Sequence, residues 1–280
     1  MIFTLGLGIG ITVIVLAFLA EYIDSSLGMG YGTSLTPILL ILGFNPLQIV
    51  PAVLVSELFS GVLAGILHHR AGNVDFKVNS MKPLHIVRQI KEIGFINSLK
   101  KNLSSHLKVV VVIAVCSIIG TVASVFLALN LPQFYLKLYI GVLVFAIGFV
   151  ILLTINKQYA FSWRKITVLS IIASFNKGMS GGGYGPVVTG GQLLAGVNDK
   201  SAIGITSLAE GLTCLVGVIL YFFFKVDIDW SLAPYLTIGA VISVPLAVLT
   251  VKQLKTNKLR IIIGIATLIL GIVTLVKIFL

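Results

Sequence analysis

The sequence predicts an all-α integral membrane protein built from two inverted repeats. Each repeat is a broken, half-length helix hairpin followed by three transmembrane helices. Three observations carry that reading. Hydrophobic residues make up 58% of the chain and charged residues only 10%, with a mean hydropathy of +1.10, which is a membrane composition. Several windows run past about eighteen apolar residues, the length of a spanning helix. A glycine-rich stretch interrupts the apolar pattern twice, at the same place in each half.

The second interruption is Asn176-Lys177-Gly178-Met179-Ser180-Gly181-Gly182-Gly183-Tyr184-Gly185. Each glycine costs a helix about 1 kcal/mol against alanine, so the helix entering here should stop and a new one should start near Pro186. Its twin lies 153 residues earlier, from Asp24-Ser25-Ser26-Leu27 through Gly28, Gly30, Tyr31 and Gly32. Between Gly28 and Glu57 nine of thirty ungapped positions are identical at that offset, among them Tyr31 and Tyr184, Asn45 and Asn198, and Glu57 and Glu210. This is an internal repeat.

Composition also excludes classes. The net charge of +11 comes from basic residues gathered between apolar spans, the positive-inside pattern rather than a nucleic-acid surface. Cys116 and Cys214 fall inside apolar runs and offer no disulfide or metal spacing. The first residues lack a basic leader and a cleavage site, so the first helix is expected to be retained.

Taken in order, the first apolar run reaches about Ile23 and ends at Asp24. A short run over 33–42 is only half a bilayer long at about 1.5 Å per residue. A turn at Gly43, Asn45 and Pro46 leads to a span over 49–67 with Glu57 inside it. Residues 68–108 form a basic cytoplasmic loop, within which the spacing of Leu84, Val87, Ile90, Ile93, Ile96, Leu99 and Leu103 fits an amphipathic surface helix or a solvated connector. Spans at 109–129 and 134–155 complete the first repeat, residues 1–156. The second repeat, 165–280, has its break at 176–185 and then spans at 202–224, 232–251 and 261–280.

Orientation follows from charge. The loops 68–108, 156–165 and 252–260 hold eight, three and four of the twenty Lys and Arg residues and should be cytoplasmic. Three crossings per repeat are odd, so the second repeat starts on the opposite side. Broken helices in inverted repeats are the sequence pointer to a secondary transporter. A multi-pass place in the cytoplasmic membrane follows, with the lipid bilayer as partner and no nucleic acid.

Several of these segments resemble the sulfite exporter TauE/SafE family. They are Asp24 with Gly28-Met29-Gly30-Tyr31-Gly32, Thr36-Pro37, Gly43-Phe44-Asn45-Pro46, Ser180 to Pro186 and Ile205-Thr206-Ser207-Leu208. The resemblance implies a permease for sulfite, an organosulfonate or a related small anion.

The candidate substrate-binding residues are Ser25, Ser26, Gly28, Gly30, Tyr31 and Gly32 in the first break. In the second they are Asn176, Lys177, Gly178, Ser180, Gly181, Gly182, Gly183 and Tyr184. Lys177 would attract an anion, with helix-end amides and hydroxyls as directional donors; alternatively it pairs structurally with Asp24, its equivalent position. Glu57 and Glu210 would oppose each other's ionisation, which points to proton coupling, or they cap helix ends. The four histidines, in or beside the basic loop, read as solvated. A cation or metal-ion transporter using Asp24, Glu57 and Glu210 is the alternative. A potassium-type filter needs four loops pointing the same way, which inverted repeats do not give. No catalytic constellation, cofactor or metal set is expected, and a homo-oligomer is left open.

Overall fold

The computed structural model describes residues 6–78, 102–154, 162–194, 197–224, 230–251 and 256–279. The surface helix read from the sequence over 84–103 lies outside the described residues except at its end, where Leu103 forms an isolated β-bridge with Val78. Ten helices are described: α1 (Leu7–Leu27), α2 (Tyr31–Ile41), α3 (Pro46–Arg70), α4 (Ser105–Asn130) and α5 (Gln133–Thr154), then α6 (Trp163–Ser180), α7 (Tyr184–Leu194), α8 (Asp199–Phe223), α9 (Ala233–Thr250) and α10 (Thr256–Phe279). Six of them, α1, α3, α4, α5, α8 and α9, are long and apolar enough to cross a membrane. Apolar side chains such as Ile119, Phe126, Phe149 and Leu249 stand exposed on their outer faces. In water such a surface would aggregate; in lipid it is the solvated surface.

Local chemistry sets the helix ends, and it does so twice at the 153-residue offset. α1 ends where Gly28 turns left-handed (φ 70°), and α6 ends where Gly181 does the same (φ 71°). A left-handed residue is nearly free for glycine and strained for residues with a Cβ. The capping amides repeat as well: Gly28 N–H donates to Asp24 O (2.6 Å) and Gly181 N–H to Lys177 O (2.8 Å). At the next helix starts, Asn45 N–H donates to Gln48 Oε1 (3.0 Å), and Asn198 Oδ1 accepts from Lys200 N–H (3.1 Å).

Two sequence expectations need adjusting. The second arms of the hairpins, α2 and α7, are 11 residues each and half-length, but the first arms run 21 and 18 residues. The helix after the second break starts at Tyr184 rather than near Pro186. Pro186 then sits in the first turn, where its missing N–H would have had no intrahelical partner anyway.

Packing follows the same offset. α1 lies along α9 as α6 lies along α4, and α3 crosses α9 as α8 crosses α4. α3 also packs on α8, and α5 on α10, each against its own counterpart. At the α3–α8 crossing a Cβ on Gly61 would come within 2.8 Å of Ser207 O, and one on Gly211 within 2.8 Å of Val62 N. The backbones there approach closely because neither residue carries a side chain, the small-residue contact common between membrane helices.

Candidate functional site

The two breaks meet backbone to backbone. A Cβ on Gly32 would overlap the carbonyl oxygen of Gly181, and one on Gly185 would lie 2.6 Å from Gly28 O. These are equivalent contacts, since Gly32 corresponds to Gly185 and Gly28 to Gly181. Thr33 Oγ1 accepts from Gly183 N–H (3.0 Å), and Thr189 Oγ1 donates to Gly28 O (2.6 Å), tying each tip to the other hairpin.

One turn before the breaks lies a buried charge cluster. Lys177 on α6 is 1% exposed. Its Nζ donates to Glu210 Oε1 on α8 (2.7 Å) and is ion-paired with Glu57 Oε2 on α3. The ammonium therefore sits between two carboxylates that are equivalent in the repeat. Each glutamate offers Lys177 one oxygen, while Glu57 Oε1 and Glu210 Oε2 are buried with no hydrogen-bond partner among the described residues. Cys214 Sγ lies 3.8 Å from Glu57 Oε2.

Two further carboxylates come from α1. Glu21 accepts from Ser25 Oγ on Oε1 (2.6 Å) and from Ser60 Oγ of α3 on Oε2 (3.0 Å). Asp24 Oδ1 accepts from Tyr31 N–H (3.3 Å), at the start of α2. Both are buried and within electrostatic reach of Lys177 and Glu210. Buried ions need partners or protons, and this cluster has one ammonium for four carboxylates.

The sequence-predicted residues are brought together here, but not all in the roles expected of them. Lys177 pairs with Glu57 and Glu210, whereas its pseudo-equivalent Asp24 caps α2. The amides of Gly181, Gly182 and Gly183 are taken by Lys177 O, Ser180 Oγ (3.1 Å) and Thr33 Oγ1. Ser26 donates to Ile23 O and Ser180 to Asn176 O, both within their own helices. The Tyr31 hydroxyl bonds Ser56 Oγ (2.8 Å), and that of Tyr184 shares a hydrogen bond with Thr213 Oγ1 (3.1 Å). Gly28, Gly30, Gly32 and Gly178 shape the bends and crossings. Asn176 Oδ1 accepts from Tyr139 Oη (2.7 Å) and lines a cavity of about 240 Å³ between α5, α6 and α7.

Two residues were misjudged from sequence. Glu21 is masked in the sequence by the apolar run around it, although its place three residues before Asp24 puts both carboxylates on one helix face. His68 is not solvated: it is fully buried, with Nε2 2.9 Å from Ser25 O and Nδ1 3.0 Å from Asn73 Nδ2. The Asn73 amide can only donate to Nδ1, so Nε2 carries the hydrogen and the ring is neutral in this arrangement. Its counterpart at the repeat offset, Tyr221 inside a span, was the available signal.

The family model of the sulfite exporter TauE/SafE matches residues 13–82 and 92–274, nearly the whole chain. The chain belongs to the TauE/SafE sulfite exporter family. Among curated relatives it is similar to the probable membrane transporter protein YtnM of Bacillus subtilis (strain 168), 26% identical over 267 residues, covering 90% of this chain and 78% of the relative. No solved structure matches it. As a TauE/SafE protein with six long apolar helices it is a multi-pass membrane transporter of the cell membrane.

Proposed function

We propose that this TauE/SafE chain is a secondary transporter for a small anion such as sulfite or an organosulfonate. It works by alternating access of two inverted repeats around their Gly-rich breaks at mid-membrane. One observation carries the reading: the single ammonium of the buried cluster, Lys177, is clamped between the equivalent carboxylates Glu57 and Glu210. While both glutamates hold it, the ammonium has little field left for an anion. A proton on either glutamate removes that competitor, and an anion can take the vacated side of Lys177. Anion and proton would therefore bind together, a coupling suited to moving an anion across a membrane potential. The repeat-wise packing and the paired tips support a rocking of one half against the other.

The test is binding of methanesulfonate, whose charge does not change across the physiological pH range, to the purified protein. Binding that is lost in Lys177→Met, with Glu57 and Glu210 both replaced by Gln so that no unpaired charge remains in the triad, supports the reading. Equal binding with and without the lysine overturns it. A second reading, a cation transporter, is favoured by the excess of carboxylates over ammonium in the cluster. It replaces the first if monovalent or divalent cations, and not sulfonates, raise the melting temperature.

A further inference from the structure

Glu21 is the one carboxylate of the cluster that neither pairs with Lys177 nor caps a helix. It is 2% exposed, and its two oxygens are held by hydroxyls from two helices, Ser25 of α1 and Ser60 of α3. The second repeat has Ser174 at the equivalent position, bonded to Ile171 O of its own helix. The carboxylate thus exists on one side of the pseudo-symmetry alone, where a structural role common to both repeats does not require it.

We infer that Glu21 is a second proton site of the cluster, beside the Glu57–Glu210 pair, and that it acts on Lys177 through the shared field of the cluster rather than by touching the anion. The inference rests on the anion-transporter reading above for its purpose, and on the local geometry for its substance. A hydroxyl can donate or accept. When a hydronium delivers its proton and leaves as water, an O–H bond forms on one Glu21 oxygen. The serine facing that oxygen then turns from donor to acceptor. Both protonation states fit the same heavy-atom positions, which is what a reversible proton site needs. Protonating Glu57 or Glu210 instead breaks a contact to Lys177, so those residues suit the anion-exchange step.

The groups facing Glu21 agree with this division. From its own helix comes Asp24; from α2, Tyr31; from α3, Glu57 and the neutral His68 beyond Ser25. α6 brings Lys177, and α8 brings Glu210. α9, packed along α1, carries Tyr235 as its only titratable residue and no charge. The field at Glu21 is therefore set by three other carboxylates and one ammonium. Glu57 and Glu210 each have a buried oxygen with no hydrogen-bond partner among the described residues, so the cluster has unused capacity for a cation. A proton is the smallest cation that meets it. Among the described residues no group of three or more acidic, His or Cys side chains has metal-binding geometry.

Two measurements test the inference. In proteoliposomes, Glu21→Gln should lower pH-gradient-driven accumulation of labelled sulfite by about tenfold or more, a usual size for coupling between sites. It should leave sulfite exchange at equal pH running, and Glu21→Asp should recover part of the driven uptake. Infrared difference spectra taken between mildly alkaline and mildly acidic buffer should show a carboxyl C=O band in the parent that is missing in Glu21→Gln and shifted in Glu21→Asp. That band needs no anion, so it decides the Glu21 inference even if the parent moves no sulfite, an outcome that would sink the anion reading alone. Driven uptake with an unaltered pH profile in Glu21→Gln overturns the inference, as does a carboxyl difference spectrum that is the same in Glu21→Gln as in the parent. If Glu21→Gln does not fold, the shift of the band in Glu21→Asp, or its absence, settles the point.

Discussion

His68 and Tyr221 stand 153 residues apart and do the same job: His68 Nε2 donates to Ser25 O (2.9 Å), and Tyr221 Oη donates to Gly178 O (3.0 Å). The two acceptors are separated by the same 153 residues. Each donor comes from the far end of a long helix, α3 or α8, and fastens the last turn of a first hairpin arm, α1 or α6. In a membrane interior a last-turn carbonyl has no water to turn to, so both repeats supply a side chain instead.

Removing that fastening should be unequal in the two repeats. Tyr221→Phe deletes one hydrogen bond and should cost about 1 kcal/mol. His68→Phe leaves Asn73 Nδ2 short of an acceptor as well as Ser25 O short of a donor, and should cost more. Thermal unfolding in detergent reads both; equal losses would mean that the Asn73 contact contributes nothing.

The glycine contact between the tips should be intolerant at Gly32 and Gly185. Gly32→Ala forces a methyl into the Gly181 carbonyl, and no flexible side chain is there to yield. Folding should be lost, or destabilised by more than about 4 kcal/mol. Gly190 is the control, because a Cβ there meets nothing within 4 Å. Gly190→Ala should be neutral or stabilising by up to about 1 kcal/mol. Yields of folded, monodisperse protein separate the cases.

Lys177→Ala leaves two buried glutamates without their shared counter-ion, and breaking a buried pair from one side typically costs about 3–5 kcal/mol. Adding Glu57→Gln and Glu210→Gln should return most of that stability, because no unpaired charge then remains in the triad. A triple variant as unstable as the single one would show that the lysine matters through packing rather than charge.

The pH dependence has a definite sign. Protonating Glu57 or Glu210 loosens the hold on Lys177, so methanesulfonate affinity should rise as pH falls. Either Glu→Gln variant mimics the protonated state and should flatten the profile toward its low-pH level. An affinity that falls with falling pH in the parent would reverse the proposed linkage.

Much of the fold was legible because membrane burial leaves a strong trace. The apolar runs mark the helices, and the offset repeat marks both breaks and both Asn caps. The site was legible as a set of residues rather than as a set of partners. Asp24 and Lys177 are equivalent in sequence, yet equivalence within a repeat gives residues matching positions without requiring them to touch. Lys177 reaches instead across to α3 and α8, the pair of helices that cross at Gly61 and Gly211. Glu21 was hidden by its apolar neighbours, and His68 by its nearness to a basic loop. Loop proximity along the chain says little about depth when a helix runs 25 residues, as α3 does.

The meeting of Gly32 with Gly181 and of Gly185 with Gly28 has a consequence for how such a protein can diversify. Where the halves meet at Gly32 and Gly185, main chain lies against main chain, and these two positions have no room for a side chain. The room for difference lies one to two turns down each arm, where the two copies carry unlike residues: Glu21 against Ser174, Asp24 against Lys177, Ser25 against Gly178. The duplication kept the joint and left the neighbouring turn to carry a new chemical identity in each half.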